Sequence, residues 1–236
     1  MPKKIILFSG ASAVGKSAVL KFLLPSLREE GATPCVCKID CIQTQDGHLF
    51  QNLGFPCVTG LSGDICPDHY LVSNLLELWS WADSQSCDTL VIETAGLCHR
   101  CSPATKQMSA GCVLDCTTSS KAPAQLGPML EQADFVALTK IDMVSQAERE
   151  IIVWNIKQIN PSAEIFTIDG LAGYGIEPLA RWLSDQSIVA NYENDCLRHT
   201  MPSGVCSYCV GEFRVGSAFQ QGVVGKIDFK EATCKQ

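Results

Sequence analysis

The chain is poor in positive charge. Its 18 lysines and arginines face 25 aspartates and glutamates, for a net charge of -7 and a pI near 5.1. Neutralising a phosphate backbone or an anionic membrane takes clustered Lys and Arg, and no basic patch occurs, so broad binding to nucleic acid or anionic lipid is excluded. Long apolar runs are missing too. None approaches the roughly 20 residues of a transmembrane helix. Lys3-Lys4 followed by the apolar residues 5–8 falls short of a signal peptide, because the run breaks at once into a glycine turn. The expected location is therefore cytoplasmic. Cysteine, by contrast, is abundant: the chain has 14. In a reducing compartment these read as thiols, some of them metal ligands, and not as a disulfide framework. With 46% hydrophobic residues over 236, the composition suits one α/β domain, residues 1–186, followed by a short Cys-rich extension, residues 187–236.

The strongest motif is Gly10-Ala11-Ser12-Ala13-Val14-Gly15-Lys16-Ser17. It follows an apolar strand and opens an apolar-periodic helix, and its spacing fits G-x-x-x-x-G-K-[ST]. In such a loop backbone N–H groups wrap phosphate oxygens, the lysine neutralises β/γ charge and the hydroxyl ligates Mg²⁺. Gly10, Ala13, Val14, Gly15, Lys16, Ser17 and Ala18 are thus nucleotide-binding candidates. Two acidic strand ends follow. Asp40 closes a strand over 33–39, and Glu93 closes one over 88–93, before Thr94-Ala95-Gly96. Carboxylates there can hold Mg²⁺, the attacking water or the γ-phosphate sensor. With Lys16 they are the catalytic candidates.

A strand over 134–138 runs into Thr139-Lys140-Ile141-Asp142, which matches the guanine-reading N-K-x-D element with Thr for Asn. An aspartate accepts from guanine N1–H and the exocyclic amine, a donor pair that adenine lacks, so GTP is the expected nucleotide. The remaining periodicity predicts helices over 16–30, 70–82, 126–132, 146–158 and 175–183. Further strands are predicted at 111–115 and 164–168, with a loop over 43–63 containing a short strand at 56–59. The fold expected is a mostly parallel sheet flanked by helices.

Three cysteine and histidine groups stand apart. Cys66-Pro67-Asp68-His69 precedes the 70–82 helix, with Asp68 as its N-cap. Cys66 and His69 could bind Ni²⁺ or Zn²⁺ if a symmetric dimer supplied two more ligands, or could be a surface histidine beside a half-buried cysteine. Cys98-His99-Arg100-Cys101 could couple nucleotide state to a metal, hold an iron–sulfur cluster shared across a dimer, form a redox dithiol, or be inert. In the extension, Cys196, His199, Cys206 and Cys209 read C-x₂-H-x₆-C-x₂-C, a set that suits tetrahedral zinc, part of an iron–sulfur site, or a thiol-containing turn. Residues 220–229 are expected to add one or two strands to the sheet edge. Cys35 and Cys37 alternate as core residues of their strand.

The order of these elements resembles the nickel-insertion GTPases of urease and hydrogenase maturation, the UreG and HypB (CobW-like) group. The resemblance rests on residues 10–17, Asp40, Cys66-Pro67-Asp68-His69, Glu93-Thr94-Ala95-Gly96, Lys121-Ala122-Pro123 and residues 139–142. It implies a SIMIBI-type P-loop GTPase that dimerises, binds a metal between protomers and delivers it to a client metalloenzyme. Carried over by position, Lys16 and Ser17 bind phosphate and Mg²⁺, Asp40 and Glu93 handle Mg²⁺ and the γ-phosphate, Lys140 and Asp142 read guanine, and Cys66 with His69 binds the metal. The urease accessory protein has Cys-Pro-His, whereas here Asp68 intervenes, which points to a relative serving another metalloenzyme. The alternative reading is a nucleotide-driven P-loop dimer carrying an iron–sulfur cluster for electron transfer.

Overall fold

The computed structural model describes residues 2–42, 46–96, 100–189, 192, 195–200 and 206–229. Seven strands form one sheet in the order β3-β2-β4-β1-β5-β6-β7, with every pair parallel. They are β1 Lys4–Ser9, β2 Pro34–Asp40, β3 Cys57–Leu61, β4 Thr89–Glu93, β5 Ser109–Asp115, β6 Phe135–Thr139 and β7 Glu164–Thr167. Parallel strands need crossovers, and helices provide most of them: α1 Lys16–Glu29, α2 Asp46–Asn52, α3 Pro67–Val72, α4 Leu75–Ser84, α5 Ala122–Gln125, α6 Pro128–Glu131, α7 Gln146–Ile159 and α8 Ile176–Ser184. Among the described residues no helix is long and apolar enough to cross a membrane.

Strand alternation divides the core. Ile6, Phe8, Val36 and Val91 face α1 and α8, whose Val19, Leu20, Leu23, Leu24, Leu179 and Leu183 are buried against them. The odd-numbered Ile5, Leu7, Cys35, Cys37 and Ile39 of β1 and β2 face the other way, toward α3, α4 and the C-terminal segment. Each of those leucines is worth roughly 1.5–3 kcal/mol when fully buried. Connections leave β1 for β2 on one side, while β5 lies on its other side, so the crevice at the carboxyl end of β1 is where a ligand belongs in such a sheet.

Several expectations need correction. The 43–63 segment holds a helix, α2, which is too short to show periodicity. The 70–82 helix is two, α3 and α4, parted at Ser73-Asn74, and its N-cap is Cys66. Pro67 takes the first helical position, as proline prefers, which shifts Asp68 inside the first turn. The 126–132 helix is shorter than expected, Pro128–Glu131, and a separate short helix, Ala122–Gln125, precedes it. Residues 220–229 add no strand. They strap across the α3–α4 junction instead: Asn74 Nδ2 donates to the Gly225 carbonyl (2.9 Å), Asn74 Oδ1 accepts from Ile227 N (3.0 Å), and the Tyr70 hydroxyl donates to the Lys226 carbonyl (3.0 Å).

Candidate nucleotide and metal site

β1 ends at Ser9, and the chain turns through Gly10 (φ 140°) and Gly15 (φ 95°) before α1 starts at Lys16. A side chain at Gly10 would put its Cβ 2.4 Å from the Val113 carbonyl oxygen of β5. Only glycine allows that approach. Ala13 also adopts a positive φ of 61°, strain of the kind found at ligand-binding turns. The opening turn of α1 has N–H groups without helical partners, the usual seat of a phosphate. Lys16 is buried in the loop, its Nζ donating to the carbonyls of Gly10 (2.9 Å) and Ala11 (2.7 Å). Burial pushes its pKa down, against the pull of Glu93.

A cavity of about 310 Å³ opens beside this loop and is lined by Ser12, Lys16, Ser17, Lys38, Asp40 and Glu93 among others. The structure therefore brings both acidic strand ends to the P-loop. Ser17 Oγ donates to Glu93 Oε1 (2.8 Å), and Lys38 forms a buried ion pair with the same oxygen while its Nζ lies 3.3 Å from Ser17 Oγ. Glu93 Oε2 is buried with no hydrogen-bond partner among the described residues. Burial raises the Glu93 pKa, and Lys38 opposes that shift. A hydroxyl, two carboxylates and an orphaned buried oxygen beside a phosphate cradle fit Mg²⁺ and a nucleoside triphosphate.

Lys38 is the residue that motif reading misses. Its signal is a lone charge in an apolar strand, two residues before Asp40 and so on the same face. Its ammonium bridges the two groups that would ligate Mg²⁺. Lys38→Met leaves a buried carboxylate unpaired, at a cost of about 3–5 kcal/mol. The nucleotide-free variant is expected to melt well below the parent and to gain more than the parent from Mg²⁺ and a GTP analogue. Equal melting temperatures without ligand would contradict the pairing.

Outside the lining of the cavity, Thr139 Oγ1 donates to the Val14 carbonyl (2.6 Å) and ties β6 to the P-loop. Lys140, with φ 53°, turns its ammonium onto Asp115 and within 3.3 Å of the Ala13 carbonyl. Burial raises the Asp115 pKa, but hydrogen bonds from Lys140 and Thr117 outweigh it and hold the carboxyl low. Asp142 is exposed on a 3₁₀ turn, Ile141–Met143. The turn after β7 closes around Asp169 Oδ1, which accepts from the backbone N–H of Leu171 (2.8 Å) and Ala172 (3.1 Å). An added Cβ at Gly170 would lie 3.4 Å from that of Ala18, so this turn sits against the start of α1.

The cysteine and histidine candidates assemble differently from their order in the sequence. His69 Nε2, Cys206 Sγ and Cys209 Sγ lie within 4.8 Å of one another, as do ligand atoms of Cys66, Asp68 and Cys101. The two sets touch, because the Cys66 side chain hydrogen-bonds the His69 ring. Cys196 and His199 belong to neither set. Cys196 instead forms a backbone bridge with Arg214. Cys98 lies outside the described residues.

Cys101 Sγ is 3.3 Å from Asp68 Oδ2, and Asp68 is almost wholly buried. Burial, reinforced by the Cys66 charge, pushes the Asp68 carboxyl up to about 7. The Cys101 hydrogen bond, helped by His69, brings the Cys66 thiol down to about 3 despite partial burial. Cys112 and Cys116 are pushed by burial to about 12 and 11. At pH 6 Cys66 is therefore thiolate while those two are thiols. Iodoacetamide at that pH is expected to label Cys66 well before Cys112 and Cys116 in the metal-free chain, and mass mapping reads the order. Labelling of Cys112 first would contradict the assignment.

Comparison with known proteins agrees with this geometry. Residues 4–167 match the model of the CobW/HypB/UreG nucleotide-binding domain. The uncharacterised protein MJ0120 of Methanocaldococcus jannaschii is 40% identical over 225 residues, 95% of this chain and 96% of that protein. The urease accessory protein UreG 2 of Streptomyces griseus is 27% identical over 192 residues, 75% and 84% of the two chains. In three dimensions the chain is similar to HypB from Helicobacter pylori, solved in complex with nickel: the TM-score is 0.64 at 18% identity, over 77% of this chain and 85% of that one. HypB from Archaeoglobus fulgidus gives a TM-score of 0.62 at 20% identity, over 77% and 88%. With the P-loop, the acidic strand ends and the T-K-x-D element in place, the chain belongs to the CobW/HypB/UreG family of SIMIBI P-loop GTPases.

Proposed function

We propose that this chain is a GTP-hydrolysing metallochaperone that binds a nickel-like divalent ion and assists its insertion into a metalloenzyme. Its expected setting is the cytoplasm, as a homodimer with the client or the client's accessory proteins as partner. The observation that supports this reading is the closeness in sequence of one residue from each half of the site. Glu93 stands at the P-loop, and Cys101, just after it in the chain, meets Asp68 of the Cys66–His69 turn. A change at Glu93 on nucleotide binding is then eight positions from a residue that meets the metal candidates, close enough to transmit nucleotide state to the ion.

In this reading Lys16 and the α1 N-terminus hold the phosphates, and Ser17, Asp40 and Glu93 hold Mg²⁺ and orient the attacking water. Mg²⁺, when bound, offsets charge on the β- and γ-phosphates. Thr139 fixes the P-loop against β6, Lys140 braces it, and Asp142 accepts from guanine. Nickel or zinc is cargo here, taken up by thiolate and imidazole, donors suited to such ions. The test is turnover of GTP and ATP with Mg²⁺. Hydrolysis of GTP that excess ATP does not inhibit is expected, whereas equal use of both would overturn the guanine assignment.

A further inference from the structure

We propose that Cys206 and Cys209 of the C-terminal segment close a mononuclear site for a borderline divalent ion within a single chain, together with His69. It deepens the reading of Cys66 and His69 as metal carriers and is independent of GTP hydrolysis. Ligand geometry is the first ground. Cys206 Sγ and Cys209 Sγ are 3.4 Å apart, and Cys209 Sγ is 2.6 Å from His69 Nε2. The sulfurs are too far apart for a disulfide, which needs about 2.05 Å. At 3.4 Å the two sulfurs are near the roughly 3.75 Å edge that tetrahedral Zn–S geometry sets, while the Cys209–His69 contact has to open by about 0.9 Å to admit the ion.

Burial is the second ground. The His69 ring is 2% exposed, and its Nδ1 has no hydrogen-bond partner among the described residues. The C-terminal segment reaches that ring through Cys209. His69 and Cys209 are 140 positions apart in sequence, and their meeting is built into the fold. The strap over residues 220–227 holds the segment on Ser73 and Asn74, directly after α3. The Cys206–Cys209 turn is itself shaped for ligands. Ser207–Val210 is a 3₁₀ turn, Gly211 follows with φ 105°, and buried Tyr208 anchors it in the core. The neighbouring set, Cys66, Asp68 and Cys101, lies next to this site and gives the ion a second group of donors on the GTPase side. The chain thus carries its own cap over the metal, and release requires the C-terminal ligands to let go.

The test uses the full chain, purified anaerobically without nucleotide and titrated with Co²⁺, whose thiolate charge-transfer and tetrahedral d–d absorption report the ligands. One equivalent per chain is expected, in monomeric protein. Cys206→Ser combined with Cys209→Ser should lower affinity by at least about 100-fold and remove much of the charge-transfer band. Cys196→Ser combined with His199→Gln should leave both unchanged. GTP turnover by each variant shows that it is folded, and separates failure of this site from failure of the GTPase reading. In the parent, Co²⁺ should protect Cys206 and Cys209 from alkylation, but not Cys196. Unchanged affinity and absorption in the Cys206/Cys209 variant would overturn the proposal. So would half an equivalent per chain, which means a site shared between copies, or native iron with matching acid-labile sulfide, which means a cluster.

Discussion

Replacing Lys16 by alanine is expected to lower GTP turnover by roughly 10²–10³-fold, the usual cost of deleting one preorganised donor to developing charge. The reason lies in the apo geometry. Lys16 Nζ already rests on the carbonyls of Gly10 and Ala11, inside the loop that wraps the phosphates. Little reorganisation is needed for it to meet them. The same variant should keep its Co²⁺ site, because Lys16 Nζ donates to the Gly10 and Ala11 carbonyls and not to His69, Cys206 or Cys209. Turnover within tenfold of the parent would remove Lys16 from the phosphate site.

The second large effect concerns the base. Asp142→Asn exchanges a carboxylate acceptor for an amide, so the two hydrogen bonds to guanine N1–H and its amine are no longer both accepted. Losing one charge-assisted bond costs about 1.5–3 kcal/mol, or roughly 10- to 150-fold in GTP affinity. Xanthine has a carbonyl where guanine has the amine, and the new amide can donate to it. Affinity for xanthosine triphosphate should therefore rise as that for GTP falls. A uniform loss of both nucleotides would instead place Asp142 outside the base site.

What could be read from the sequence was local. The P-loop occupies consecutive residues, Glu93 and Asp40 end apolar strands, and T-K-x-D follows another, so short-range pattern alone points to the candidate nucleotide site. Lys38 was legible by strand alternation with Asp40, although no motif contains it. The helix break at Ser73-Asn74 was not legible, because Asn74 bonds Gly225 and Ile227, some 150 residues downstream. The metal ligands illustrate the same limit. Sequence spacing groups Cys206 and Cys209 with Cys196 and His199, whereas tertiary packing groups them with His69. Asp68 looked like a helix cap because polar caps precede apolar periodicity. Proline at the first helical position moved the cap back to Cys66 and left Asp68 facing Cys101.

In the proposed cycle the nucleotide controls the ion. The direct measurement loads the anaerobic chain with Ni²⁺ or Zn²⁺, adds Mg²⁺ with GTP or a non-hydrolysable GTP analogue, and follows transfer to a chromophoric chelator. A coupling of ordinary size predicts release rates that differ by roughly tenfold or more between hydrolysed and analogue-held states. Identical release with GTP, with the analogue and with no nucleotide would contradict the account.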